Sequence, residues 1–276
     1  MRSSNPIFSR NNEWQGKGGY ATFDAHGRGG ARSTAPADAS ASTLEDWYRK
    51  PSATPAQSGR MTLDDVVVRT AMLFVVLLVG AAAGFFFVPN LGIAIVAALV
   101  AMGLGLWASM SKKVRPGVMF AYAALEGVFV GAISGAYASL YEGIVGQAVV
   151  GTLCAFTAML LAYKFGLIKA TARFTKVLLV ATLGYLIFGL VNLLLASFTS
   201  WTSVYAGGGP LAIGISALGV VLASLFLILD FSYIEQGIRN GLPQKEAWRA
   251  GFGLMVTLVW LYLEMLRLIA ILRGND

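Results

Sequence analysis

The sequence has little of what enzymes and secreted domains depend on. It holds one histidine, His26, and one cysteine, Cys154. A single cysteine cannot close an internal disulfide, and Cys154, inside an apolar run, reads as a small core residue. His26 lies in a polar N-terminal stretch, so no serine in the apolar segments has a histidine base nearby. Ser134 and Ser216, in small-residue surroundings, therefore read as packing or interhelical hydrogen-bonding residues. There is no H-E-x-x-H zinc signature and no phosphate loop. These gaps set the expectation of a non-enzyme without cofactor or metal centre. The first 30 residues contain no apolar stretch of the kind a cleavable signal peptide needs, which leaves the first span to direct insertion.

Charge is also scarce. Charged residues make up 13% of the chain, against about 25% in soluble domains, and 57% of the residues are apolar. The net charge of +7 is unevenly placed. Residues 1–60 hold eight Lys/Arg and five Asp/Glu, a difference of +3. The other basic residues cluster in short breaks between apolar runs. That is how topology signals are distributed in membrane proteins, so nucleic acid is not an expected partner.

Two regions follow from this pattern. Residues 1–60, rich in Ser, Gly, Ala and Asn, have too little apolar surface to offset their ordering entropy and read as a disordered cytosolic tail. Trp47 and Tyr48 are its candidate contacts with the membrane surface. Residues 61–276 read as an all-α, polytopic membrane domain. A span needs ~20 apolar residues at ~1.5 Å each. Seven segments meet that length: 66–88, 92–110, 117–140, 143–163, 177–198, 210–234 and 250–272. Pro89-Asn90, Arg115-Pro116-Gly117, Gly207-Gly208-Gly209-Pro210 and Asn240-Gly241-Leu242-Pro243 punctuate them. Thr62, followed by Asp64 and Asp65, reads as a capped helix start.

The breaks set an orientation. Lys112, Lys113 and Arg115 follow span 2; Lys164, Lys169, Arg173 and Lys176 follow span 4; Arg239, Lys245 and Arg249 follow span 6. The breaks after spans 1, 3 and 5 contain no Lys or Arg. This alternation agrees with the basic tail and predicts a cytosolic N-terminus and an outside C-terminus. Gly127, Gly131 and Gly135 form one small-residue stripe, and Gly80 and Gly84 another, as closely packed membrane helices require. No repeat relates the two halves, so an inverted-repeat transporter is not supported.

Three acids fall inside apolar spans: Glu126, Asp230 and Glu264. A charge at a helix centre costs ~3 kcal/mol on insertion scales, which makes such residues functional candidates. Each also has a plainer reading. Asp230 lies near the cytosolic end of its span and can reach water. Glu264 has Arg267 three residues on, the spacing of a structural ion pair. Glu126 has no sequence-local partner and is either neutral or paired across helices. Two carboxylates that share one proton titrate as a coupled pair. They form a closed latch when singly protonated and repel when both ionise, a physical route to a pH-gated cation path.

The last spans carry a resemblance. Leu227-Ile228-Leu229-Asp230-Phe231 and Leu261-Tyr262-Leu263-Glu264-Met265-Leu266-Arg267-Leu268, with Phe120-Ala121-Tyr122 in span 3, resemble the Bax inhibitor-one family of transmembrane Bax-inhibitor-motif proteins over about residues 62–273, the tail lying outside. The resemblance implies a seventh helix surrounded by the other six. It implies a bacterial plasma-membrane protein similar to pH-sensitive calcium leak channels, with calcium or other cations and the bilayer as partners. The family's sensor pairs an acid of span 6 with one of span 7, carried here by Asp230 and Glu264, and a basic residue from the end of span 2, here Lys112 or Lys113, engages it. Glu126 is a further candidate for lining the ion path. Three features depart from the family pattern: Glu264 replaces an aspartate, Arg267 stands where Asn is common, and the two acids are 34 residues apart. With membrane edges near 234 and 250, that spacing offsets them by ~15 Å along straight helices. Direct pairing then requires span 6 to continue to about 240 and span 7 to gain a cytosolic extension. A second expectation, from other relatives, is a non-conducting regulator of a membrane protease or stress complex, with the tail as docking segment. A third is a proton-coupled transporter, since intramembrane acids serve that chemistry equally.

Overall fold

The apolar runs become helices because the hydrocarbon offers backbone groups no other hydrogen-bond partners. The computed structural model describes residues 59–88, 91–198, 203–204 and 209–274, all within the compact unit Ala53–Asp276. The expectations for the tail, His26, Trp47 and Tyr48 lie outside the described residues. Among the described residues, seven helices run in order: α1 (Leu63–Phe87), α2 (Leu91–Met110), α3 (Pro116–Leu140), α4 (Ile144–Lys164), α5 (Ala172–Phe198), α6 (Pro210–Arg239) and α7 (Glu246–Arg273). All are long and apolar enough to cross a membrane. The chain is a multi-pass membrane protein.

Four helices extend beyond the apolar segments that announce them. α1 begins at Leu63, α5 at Ala172 and α7 at Glu246, and α6 runs on to Arg239. Each overhang is polar and lies at the end where the basic breaks gather, called here the basic end. Capping fixes the start of α1: Thr62 Oγ1 accepts from Asp65 N at 3.2 Å, and Asp65 Oδ2 accepts from Thr62 N at 3.1 Å. The stop of α6 is equally defined. Gly241 takes φ +61°, its N–H donates to Ile238 O at 3.0 Å, and Leu242 N donates to Gly237 O at 3.0 Å. This left-handed glycine closure satisfies the last carbonyls and turns the chain straight back into α7.

The glycine stripes pack α1 on α3 at backbone distance. A Cβ on Gly80 would overlap Ala124 O, one on Gly84 Val128 O, one on Gly127 Leu77 O and one on Gly131 Ala81 O. Gly135 is in ordinary contact with Phe85. No side chain fits in that seam.

α7 is the hub. Thr70 of α1 fills the space over Gly251, and Tyr122 of α3 packs edge-on against Phe252 at 5.0 Å. Ser134 of α3 hydrogen-bonds Tyr262 at 2.7 Å, as an interhelical serine should, and Gly151 of α4 touches Met265. Tyr185 of α5 and Gly219 of α6 meet Glu264. Ala101 and Ala108 of α2 share a buried cluster with Phe252 and Met255. One expected core residue is not in the core: Cys154 is exposed on α4. That helix turns Ala148 and Thr152 inward, which leaves Cys154 on the lipid-facing side.

Candidate functional site: the carboxylates around the central helix

α6 and α7 form a hairpin centred on Gly241–Leu242, and its register decides where the acids fall. Asp230 Oδ1 lies 3.7 Å from the position of a Cβ on Gly253, and the Asp230 carboxylate accepts a hydrogen bond from Thr257. Glu264 meets Gly219, whose missing side chain leaves room for the carboxylate. On each helix the two levels are eleven residues apart, or ~16 Å. The expected pairing of Asp230 with Glu264 is therefore corrected. α6 does reach Arg239 and α7 does begin at Glu246. The tight turn, however, adds residues equally to both arms, so lengthening the helices leaves the offset unchanged.

Glu264 is instead held in a network of its own. It is 3% exposed. Tyr185 Oη donates to Oε2 at 2.8 Å, Trp260 Nε1 to Oε1 at 3.1 Å, and Arg267 Nη1 to Oε2 at 3.1 Å. Arg267 Nη1 also donates to Tyr185 Oη at 3.3 Å. Both carboxylate oxygens and the cation are thus engaged, as a buried ion pair needs if it is to offset its desolvation. The plainer reading of Glu264 and Arg267 as a structural ion pair matches this geometry.

Asp230 differs. Its Oδ2 is buried and has no hydrogen-bond partner among the described residues. A carboxylate oxygen left this way in a membrane interior is costly. Glu126 comes to the same depth. It lies between the Tyr122–Phe252 and Ser134–Tyr262 contacts, one turn past Tyr122, which places it level with Met255 and Val256. Tyr122 is its electrostatic neighbour. Asp230 therefore meets Gly253–Thr257 of α7 from α6, and Glu126 stands at the level of that segment on α3. That level is ~14–15 Å from the basic ends of their helices and, for Asp230, ~6 Å inside the apolar part of α6, which ends near 234.

Lys112 and Lys113 are exposed in the α2–α3 connection, where the Lys113 carbonyl accepts from Ser111 Oγ at 3.0 Å. The basic group that engages this connection is Arg249 of α7, which donates to Ser111 O at 2.9 Å and pairs with Glu246 at 3.1 Å. Arg69 of α1 stacks over Trp248 and pairs with Asp65 at 2.8 Å. Sequence reasoning missed Tyr185, Trp260, Thr257 and Arg249: the partners of Tyr185 and Thr257 and the Ser111 contact of Arg249 lie on other elements, whereas Trp260 stands four residues before Glu264 on the same helix, a spacing the sequence does show. Among the described residues, no three His, Cys, Asp or Glu side chains converge as a metal-binding group. An apolar groove of about 620 Å³ between α1, α3 and α4 reaches Val259 and Tyr262 of α7, but its walls carry no Asp, Glu, Lys, Arg or His.

The family model described as Bax inhibitor 1 like matches residues 5–274. This chain belongs to that family. No curated protein matches it. The match of this Bax inhibitor 1 like protein begins within the N-terminal tail, not at the first span, which corrects the expectation that the tail lies outside the family pattern.

Proposed function

We propose that this protein is a pH-sensitive leak pathway for calcium or other cations in a bacterial plasma membrane, its basic end facing the cytosol and its C-terminus outside. The observation that carries the reading is Asp230, which has a buried oxygen without a hydrogen-bond partner among the described residues and lies against Gly253–Thr257 of α7, with Glu126 of α3 at the same level. A cation needs oxygen ligands to leave water, and carboxylates supply them together with compensating charge. Protonation removes that charge, so flux rises with pH as the carboxylates ionise. Glu264, already engaged by Arg267, Tyr185 and Trp260, contributes a fixed support for α7 and no cation ligand.

The test is ion flux into liposomes loaded with a calcium indicator across a pH series. Asp230→Asn should abolish most of the pH response, with Glu126→Gln lowering flux further. Unchanged flux and pH response in both variants would defeat the assignment.

A second reading, a non-conducting regulator that binds a membrane protease or stress complex, draws on the family match extending into the polar tail from residue 5. Deleting residues 1–50 separates the two. Loss of partner capture with no flux in any form of the protein favours the regulator.

A further inference from the structure

Gly59–Thr62, the short segment before α1, is bound to the α6–α7 turn. Arg60 and Pro243 form an isolated antiparallel bridge. Met61 N donates to Leu242 O at 2.7 Å, and Gln244 N donates to Gly59 O at 2.8 Å. Gln244 Nε2 adds a hydrogen bond to Asp65 Oδ1 at 2.7 Å, and the Arg60 side chain lies along Gly241. Between these polar ties, Met61 turns inward. It is 1% exposed, although the residues on either side of it are not buried.

The destination of Met61 is the seam between α6 and α7. Its Sδ and Cε approach Gly237, where a side chain would be at 3.4 Å. It shares a buried cluster with Phe231, Ile234, Ala247, Ala250 and Leu254. Gly237 is seven residues from Asp230 along α6, so the methionine sits ~10 Å from that carboxylate on the basic-end side. Every side chain named in between is apolar. A dry plug of this kind bars water and ions from the seam.

We propose that Gly59–Thr62 is a strap whose stopper, Met61, closes the basic-end approach to Asp230, and that displacement of the strap opens it. The ties suit a device that releases. A two-residue bridge has little stability of its own, and an unbranched thioether side chain leaves and re-enters an irregular gap without a fixed shape requirement. The tail, residues 1–58, joins the chain at Gly59, the first residue of this bridge segment. The inference rests on the reading of Asp230 as a pathway residue, and its test has a readout that does not depend on conduction.

The test uses the full chain with Cys154→Ala, in nanodiscs and in liposomes. Leu254→Cys, inside the seam, reports water access through its labelling rate with a membrane-impermeant maleimide. Arg60→Cys with Pro243→Cys locks the strap: a wide antiparallel pair has Cα atoms ~4.5 Å apart, within the span a disulfide bridges. Met61→Ala removes the stopper. Labelling should be slowest in the oxidised, locked form and faster in Met61→Ala by at least about tenfold, the change that ~1.4 kcal/mol produces. Reduction should restore the rate in the locked form. Equal labelling in the locked and stopper-free forms overturns the strap. If labelling follows the strap while flux is absent in every form, the strap stands and the conduction reading falls.

Discussion

Two acids flank the same helix hairpin and are treated in opposite ways. Glu264 sits where α5, α6 and α7 converge, and three side chains donate to its two oxygens. Asp230, eleven residues away in helix register, has Thr257 on one side and a buried, unpartnered oxygen on the other. An unsatisfied buried acceptor costs stability that a nonpolar residue would not. The contrast separates a carboxylate whose two oxygens are both engaged from one with an oxygen left over among the described residues. It also shows that the identity of an intramembrane acid says little until its neighbours on other helices are known.

The largest effect expected from disturbing this contrast is at Arg267. Arg267→Met strands the Glu264 carboxylate, and breaking a buried pair from one side costs ~3–5 kcal/mol. Thermal unfolding in detergent should show a large fall in midpoint, partly recovered by adding Glu264→Gln. Tyr185→Phe comes next: removing a hydrogen bond to a charged group costs ~1.5–3 kcal/mol, measured in the same way. Recovery failing in the Arg267→Met, Glu264→Gln protein would mean that Arg267 acts through packing and not through the pair.

Much of the scaffold was legible in the sequence. The alternating basic breaks count the spans, because one span more or less would put Lys112 and Lys164 on opposite sides. Gly80, Gly84, Gly127 and Gly131 announce a close helix contact through the lack of any side chain at helical spacing. Thr62 and Asp65 read as a cap because capping is local. The site was less legible for a physical reason. Whether Asp230 meets Glu264 depends on the register of two helices, and Gly241 and Leu242 set that register through hydrogen bonds in the turn. The partners Tyr185 and Thr257 depend on how helices rotate, and an apolar pattern all round a helix does not encode rotation. The same ambiguity placed Cys154 inside when it faces outward.

Smaller stability effects are expected on the Asp230 side. Asp230→Asn should shift stability by no more than ~1 kcal/mol, since the isosteric amide keeps an oxygen to accept from Thr257, while calcium flux and its rise with pH should fall sharply. Thr257→Val should be the mildest of the set, with a stability loss of about 1 kcal/mol for one hydrogen bond and a displaced pH midpoint for flux. If Asp230→Asn instead unfolds the protein as severely as Arg267→Met, the two acids are alike and the contrast drawn here fails.

The most direct measurement compares Asp230→Asn with Glu264→Gln in one liposome preparation, reading calcium flux across pH beside thermal stability. A division is expected: Asp230→Asn loses the pH-dependent flux and keeps its stability, and Glu264→Gln loses stability and keeps a pH-dependent flux in the protein that remains folded. The reverse division, or loss of the pH response in a stable Glu264→Gln protein alone, would contradict it.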